Sequence, residues 1–135
     1  MEQQETLWLV CPLPHDKNDL YKVSPYRAKR WVYLNPEVVE WRMVQRMRWL
    51  TELRQVEPNW TTHDVPWEVE IHSHLPPDSV WGDVDHHCSN VLDTLVGVLY
   101  SDDCYVERVV LTRTRDAEEP YCDIFAYAAL PGYGD

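Results

Sequence analysis

Trp81-Gly82-Asp83-Val84-Asp85-His86-His87-Cys88-Ser89-Asn90-Val91-Leu92-Asp93-Thr94-Leu95-Val96-Gly97-Val98-Leu99-Tyr100-Ser101-Asp102-Asp103 is the stretch whose reading decides the fold. Cys88, Val91, Leu92, Leu95, Val98 and Leu99 recur at three- and four-residue spacing, so the pattern predicts one helix with these residues on its buried face. Asp83 and Asp85 stand at the start of that helix, where a carboxylate can cap free amides and meet the favourable end of the dipole. A short turn at Tyr100-Ser101 brings Asp102 and Asp103 to the start of the next element. A helix folded back on that element would let three or four carboxylates converge. Such oxygens are the ligands that hard divalent cations select. The same acids also suit a plainer role, as helix caps and a strand-start turn.

Upstream, Trp67 to Leu75 alternates apolar and polar residues and predicts a strand with one buried face, stopped by Pro76-Pro77. Downstream, Tyr105 to Thr114 and Tyr121 to Ala128 read as two strands. The turn residues Arg115 to Pro120 between them predict a hairpin, and Leu130 to Asp135 reads as a tail. Asn35-Pro36-Glu37 is a helix start, with an Asn cap, Pro in the first turn and an acid beside it; the helix should run to about Val56. Val39, Met43, Met47 and Leu50 predict its core stripe, widened by Trp41, Val44 and Leu53. Leu7 to Cys11 is a short strand ended by Pro12 and Pro14, and His15 to Tyr33 reads as an extended loop with a short edge strand at Trp31-Val32-Tyr33. The chain of 135 residues therefore reads as one α+β domain, a mixed sheet of about four strands with two helices packed on one face.

Asp-x-Asp, a Leu92-Asp93-Thr94-Leu95 helix segment and Asp102-Asp103 together resemble the RusA-type Holliday junction resolvases, dimeric Mg²⁺-dependent endonucleases of phage and prophage origin. The resemblance implies Asp83, Asp85 and Asp103 as catalytic metal ligands, with Asp102 beside them, and Mg²⁺ or Mn²⁺ as cofactor. It also implies branched DNA as substrate, a homodimer, and a RusA-like fold over almost the whole layout. The family's catalytic lysine, one turn after the second aspartate, is Ser89 here, and His86 stands where Asn usually follows. The loop corresponding to His15–Tyr33 contacts the junction in the family. Here it interleaves Lys17, Lys22, Arg27, Lys29 and Arg30 with Tyr21, Tyr26 and Trp31, a pattern that suits phosphate contact with stacking and equally suits a solvated loop. Arg42 and Arg46, one turn apart on the long helix, are either its wet face or further DNA contacts that supply the charge Ser89 lacks.

Net charge sets a constraint on that reading. At −11 the chain has the wrong sign for a polyanion partner, since phosphate binding is driven by Lys and Arg. The distribution is polarised: residues 1–54 carry nine Lys/Arg against seven Asp/Glu, and residues 55–135 carry three against sixteen. The alternative reading follows from this polarity. A catalytically degenerate scaffold of the same fold would present an acidic surface to a basic host protein, such as RNA polymerase or another nucleic-acid enzyme. Seven Trp and eight Tyr against one Phe suit either a core or a partner surface. Cys11, Cys88, Cys104 and Cys122 lack metal-type spacing and read as reduced thiols. His72 and His74 read as solvated strand residues beside Glu68 and Glu70 rather than zinc ligands. No apolar run is long enough to span a bilayer and no signal peptide is visible, so the expected location is the cytoplasm, that of the host for a phage protein.

Overall fold

The structure, a computed structural model, describes residues 2–13, 21–23, 32–78 and 88–131, with backbone alone for 2–4, 21–23, 32–34 and 131. Strand β1 (Glu2–Pro12) is followed by two short strands, β2 (Tyr21–Val23) and β3 (Val32–Leu34), which pair with each other. Helix α1 (Pro36–Val56), β4 (Trp67–His74), α2 (Cys88–Leu95), a one-turn 3₁₀ helix (Asp103–Tyr105), β5 (Val106–Thr114) and β6 (Tyr121–Pro131) complete the order. The main sheet runs β1-β6-β4-β5, with β4 and β5 parallel and the other pairs antiparallel. The fold class is α+β, as the periodicities predict.

The predicted β5–β6 hairpin does not form. β4 lies between the two strands, and β6 instead reaches β1 on its far side. Turn residues between two strands permit a hairpin without requiring one. Here the alternating faces of β4 and β6 match over seven register pairs, from Glu68 opposite Tyr127 to His74 opposite Tyr121, and bury Val69, Ile71, Ile124 and Ala126 together. β1 and β6 both extend beyond their predicted lengths, because each supplies the other's ladder from Glu2 opposite Pro131 to Pro12 opposite Tyr121.

One face of this sheet carries the core, and both helices contribute to it: Trp49 and Leu53 from α1, Val91 and Leu95 from α2, with Leu9, Val69, Ile71 and Ile124 beneath. Among the described residues three tryptophans are interior, and the indole N–H of each finds a carbonyl. Trp49 donates to Val10 (3.0 Å), Trp60 to Val98 (2.8 Å) and Trp67 to His63 (2.8 Å). Trp8 is the contrast, 65% exposed on the opposite face.

Helix α1 starts as predicted, with Asn35 Oδ1 accepting from the Glu37 amide at 3.1 Å, but it buries another face. Val38, Gln45, Trp49 and Leu53 are inside, whereas Val39, Met43, Val44 and Met47 are 40–67% exposed. Apolar character is spread almost evenly around this helix, so periodicity could not choose a side; the bulk of Trp49 and two inward arginines did. No helix among the described residues is long and apolar enough to cross a membrane.

His74 also departs from expectation. Its Nδ1 lies 2.8 Å from Asp116 Oδ1 and its Nε2 2.8 Å from Asp123 Oδ2, while its ring stacks between His72 and Tyr121 at 4.4 Å from each. Two carboxylate partners need two N–H donors, so the geometry asks for the imidazolium. Burial opposes that charge, but the bonds to Asp116 and Asp123 outweigh it and raise the proton affinity above the usual histidine value. A group with a raised folded pKa stabilises fully below its unfolded value near 6.5, and that stability is lost as pH rises through the folded value. The His74→Gln variant should therefore melt earlier than the parent at pH 5.5, by on the order of 1 kcal/mol, with the gap closing toward pH 9 in paired thermal denaturation curves.

Candidate functional site

Helix α2 is eight residues long and ends at Leu95, short of the Leu99 that spacing suggests. The chain leaves the helix at Gly97, whose φ of +86° lies in the left-handed region that favours glycine. A tight turn then returns Gly97 N to the Tyr100 carbonyl at 2.8 Å and Leu99 N to the Leu95 carbonyl at 3.0 Å. Val98, Leu99 and Tyr100 remain buried, so the apolar pattern is honoured by a turn in place of a fourth helical residue stripe. Tyr100 OH donates back to the Leu92 carbonyl (2.8 Å), and Asp64 takes both the amide (2.8 Å) and hydroxyl (2.7 Å) of Ser101. These bonds fix where Asp102 and Asp103 emerge.

Asp102 caps the 3₁₀ helix, accepting from the Cys104 amide at 2.9 Å, and that bond holds its carboxyl below the usual carboxylate range. Asp103 behaves oppositely. Partial desolvation raises its proton affinity, and the carboxylates of Asp102 and Asp93 raise it further. The same acids act on Tyr100, whose hydroxyl is pushed up first by burial and then by Asp103 and Asp93. Asp93, in the middle of α2, is thus brought beside the Asp102-Asp103 pair by the turn.

Two arginines of α1 hold α2 in this position. Arg46 Nη2 donates to the Asp93 carbonyl (2.6 Å), and its Nε reaches the Thr94 and Val96 carbonyls at 3.0 Å each. A cation on the last carbonyls of a helix satisfies orphan acceptors and meets the negative end of the dipole. Arg42 Nε donates to Asn90 Oδ1 (2.6 Å) and its Nη2 approaches Asp93 Oδ2 (3.4 Å), with only 12% of its side chain exposed. Both arginines are turned toward α2 and bond across the α1–α2 contact, Arg42 nearly buried and Arg46 half-buried. That contact leaves Gln45 Oε1, Asn90 Nδ2 and Trp41 Nε1 buried without a hydrogen-bond partner among the described residues.

Of the sequence-derived site residues, Asp102 and Asp103 lie at the start of the 3₁₀ helix near Asp93, and Ser89 is exposed in the first turn of α2. Asp83, Asp85, Lys17, Arg27, Lys29 and Arg30 lie outside the described residues, and Lys22 falls in β2. Sequence reasoning missed Asp64, which has no local signal because its role depends on a turn 37 residues away. It also gave Asp93 no role of its own, although the three-residue helical step from the buried Asn90 places both beside Arg42. Among the described residues, no three His, Cys, Asp or Glu side chains are arranged to hold a metal ion. No model of a known protein family matches the sequence, and no curated protein is significantly similar to it.

Replacing Arg46 with Met should lower the unfolding free energy by about 2–3 kcal/mol, because three carbonyls lose a charged donor; urea denaturation reads the change. Asp103→Asn should do the reverse. A raised carboxyl pKa costs the folded state once pH exceeds the unfolded value near 3.8. The neutral variant should accordingly be more stable at pH 7, by less than about 1 kcal/mol for so exposed a group, and equal to the parent at pH 3.5.

Proposed function

We propose that this chain is a Mg²⁺- or Mn²⁺-dependent endonuclease of branched DNA, acting as a homodimer, with Asp83, Asp85 and Asp103 as its metal ligands. The observation that carries the reading is the crowding at Asp103. Its carboxyl is placed among other carboxylates, and no hydrogen bond from a cationic side chain to it is recorded among the described residues. A carboxyl whose proton affinity is raised by its neighbours is one that a divalent cation would relieve, and the acid chemistry of the set fits a hard ion. When bound, such an ion supplies Lewis-acid polarisation of a phosphodiester.

The chain's own residues prepare that position. Arg42 approaches and orients Asp93, whose carboxylate still adds to the negative potential at Asp103. Asp102 is committed to the Cys104 amide and fixes the turn from which Asp103 projects. Ser89 faces solvent in the first turn of α2 and can offer a leaving oxygen only a neutral hydrogen bond. With serine at position 89, the local positive charge beside a phosphodiester at Asp103 would come from the bound ion.

A labelled four-way DNA junction in millimolar Mg²⁺ or Mn²⁺ tests the reading. Cleavage is expected, with a loss of at least about 100-fold in Asp85→Asn and Asp103→Asn, and a gain of about tenfold in Ser89→Lys by analogy with supplying one electrostatic donor. A folded protein that leaves the junction intact in both metals, with or without lysine at position 89, would overturn it.

A further inference from the structure

Away from the carboxylates, a groove of about 480 Å³ runs between β1 and the C-terminal end of α1. Its apolar lining comes from Leu7, Leu9, Leu53, Val56, Trp60 and Leu130, and its volume lies in the range of ligand sites. Val56 contributes while 87% exposed, an unusual position for a large aliphatic side chain. The charged lining is of one sign: Glu5, Glu52 and Glu57, with no Lys or Arg among the described lining residues. Arg48 lies one turn from Glu52 and pairs with it at 3.3 Å on the exposed helix surface.

The groove borders a sheet edge. β1 pairs with β6 on one side, and its other side has no strand partner among the described residues. Exposed edges are normally guarded by charge or proline, yet Leu7-Trp8-Leu9-Val10 carries neither. Trp49 takes the Val10 carbonyl, which leaves Glu5 to Leu9 as the stretch beside the groove. Trp8 also borders the groove, while its ring lies beside Phe125 and Asp123. Its ring stacks on Phe125 (6.2 Å, 10° between planes) and its indole N–H is tied to Asp123 Oδ1 at 2.8 Å, so one aromatic face is held toward solvent.

We infer that β1 and this groove form a docking site for an extended segment of a partner protein in which apolar and basic residues alternate. Such a segment adds a strand to the β1 edge through its backbone. Its alternate side chains then separate to the two faces of the sheet. Those on the helix side enter the apolar groove. Those on the other face bring a cation over Trp8, where ring and charge attract. Glu5 and Glu57 in the groove disfavour acidic side chains entering from the helix side, while Glu52 is already paired with Arg48. The site is separate from the carboxylates of α2, and the inference stands whether or not those carboxylates cut DNA.

Fluorescence anisotropy with the fluorescein-labelled peptide Lys-Leu-Lys-Val-Lys-Leu-Lys tests it on the full chain. Micromolar binding is expected, with at least tenfold weaker binding of Glu-Leu-Glu-Val-Glu-Leu-Glu. A copy of the basic peptide N-methylated at alternate residues keeps its charge but cannot complete a β-ladder, and should bind at least tenfold more weakly. The double variant Glu52→Lys/Val56→Lys, at exposed positions that leave the core intact, should show the same loss, and Trp8→Ala a loss of about fivefold. Equal binding of the N-methylated peptide, unchanged binding by the double variant, or absence of binding would each overturn the inference. So would a dimer in sedimentation velocity that the double variant dissolves, which would assign the groove to a second copy of the chain.

Discussion

Arg46 on the terminal carbonyls of α2, with Arg42 beside it on Asn90 and Asp93, is the interaction on which the remaining geometry depends. A guanidinium largely withdrawn from water is tolerated only when its donors are matched, and a helix C-terminus supplies unpaired acceptors and negative potential together. The match sets the rotation of α1. To point Arg42 and Arg46 at α2, the helix must turn Met43, Val44 and Met47 outward, which is how they are found. It also sets the position of α2, and through the turn at Gly97 the approach of Asp93 to Asp103.

The sheet divides the molecule chemically. On the helix side, a run of aliphatic side chains surrounds the indoles of Trp49, Trp60 and Trp67, whose N–H groups are satisfied by carbonyls. On the other side, polar and aromatic groups bind one another across strands: Trp8 to Asp123, Asp123 to His74, His74 to Asp116, Tyr127 to Glu70. The described aromatic residues are thus shared between the two faces. Rings on the helix side fill volume, and rings on the other side hold carboxylates and histidines in register.

Acidic charge is likewise concentrated rather than spread evenly. Asp64, Asp93, Asp102 and Asp103 gather around the turn after α2, each with a different fate: Asp64 ties down Ser101, Asp93 meets Arg42, Asp102 caps a helix, and Asp103 carries the unrelieved repulsion. Glu5, Glu52 and Glu57 gather separately at the groove beside β1. A low overall isoelectric point says nothing about such partition; position relative to the helices does.

Local physical chemistry made several elements legible in the chain. The Asn35 cap and Pro36 place the start of α1 because a cap acts within three residues of itself, and the alternation of Trp67 to Leu75 declares a strand because its period is set by the backbone. The nearness of Asp102 and Asp103 to α2 was readable for the same reason, since only a short turn intervenes. Strand order, the buried face of α1 and the end of α2 were decided by tertiary structure. β6 prefers β4 and β1 over its sequence neighbour because the gain comes from two full-length ladders and a shared apolar face. α1 turns two half-buried arginines toward α2, and its methionines outward, because α2 presents carbonyls that only a distant donor can satisfy. Asp93 and Asp64 acquire their roles the same way, from partners that chain position does not announce. Periodicity and capping are short-range forces and can be read along the sequence, whereas the choice among equally apolar faces rests on contacts that exist only once the chain has folded.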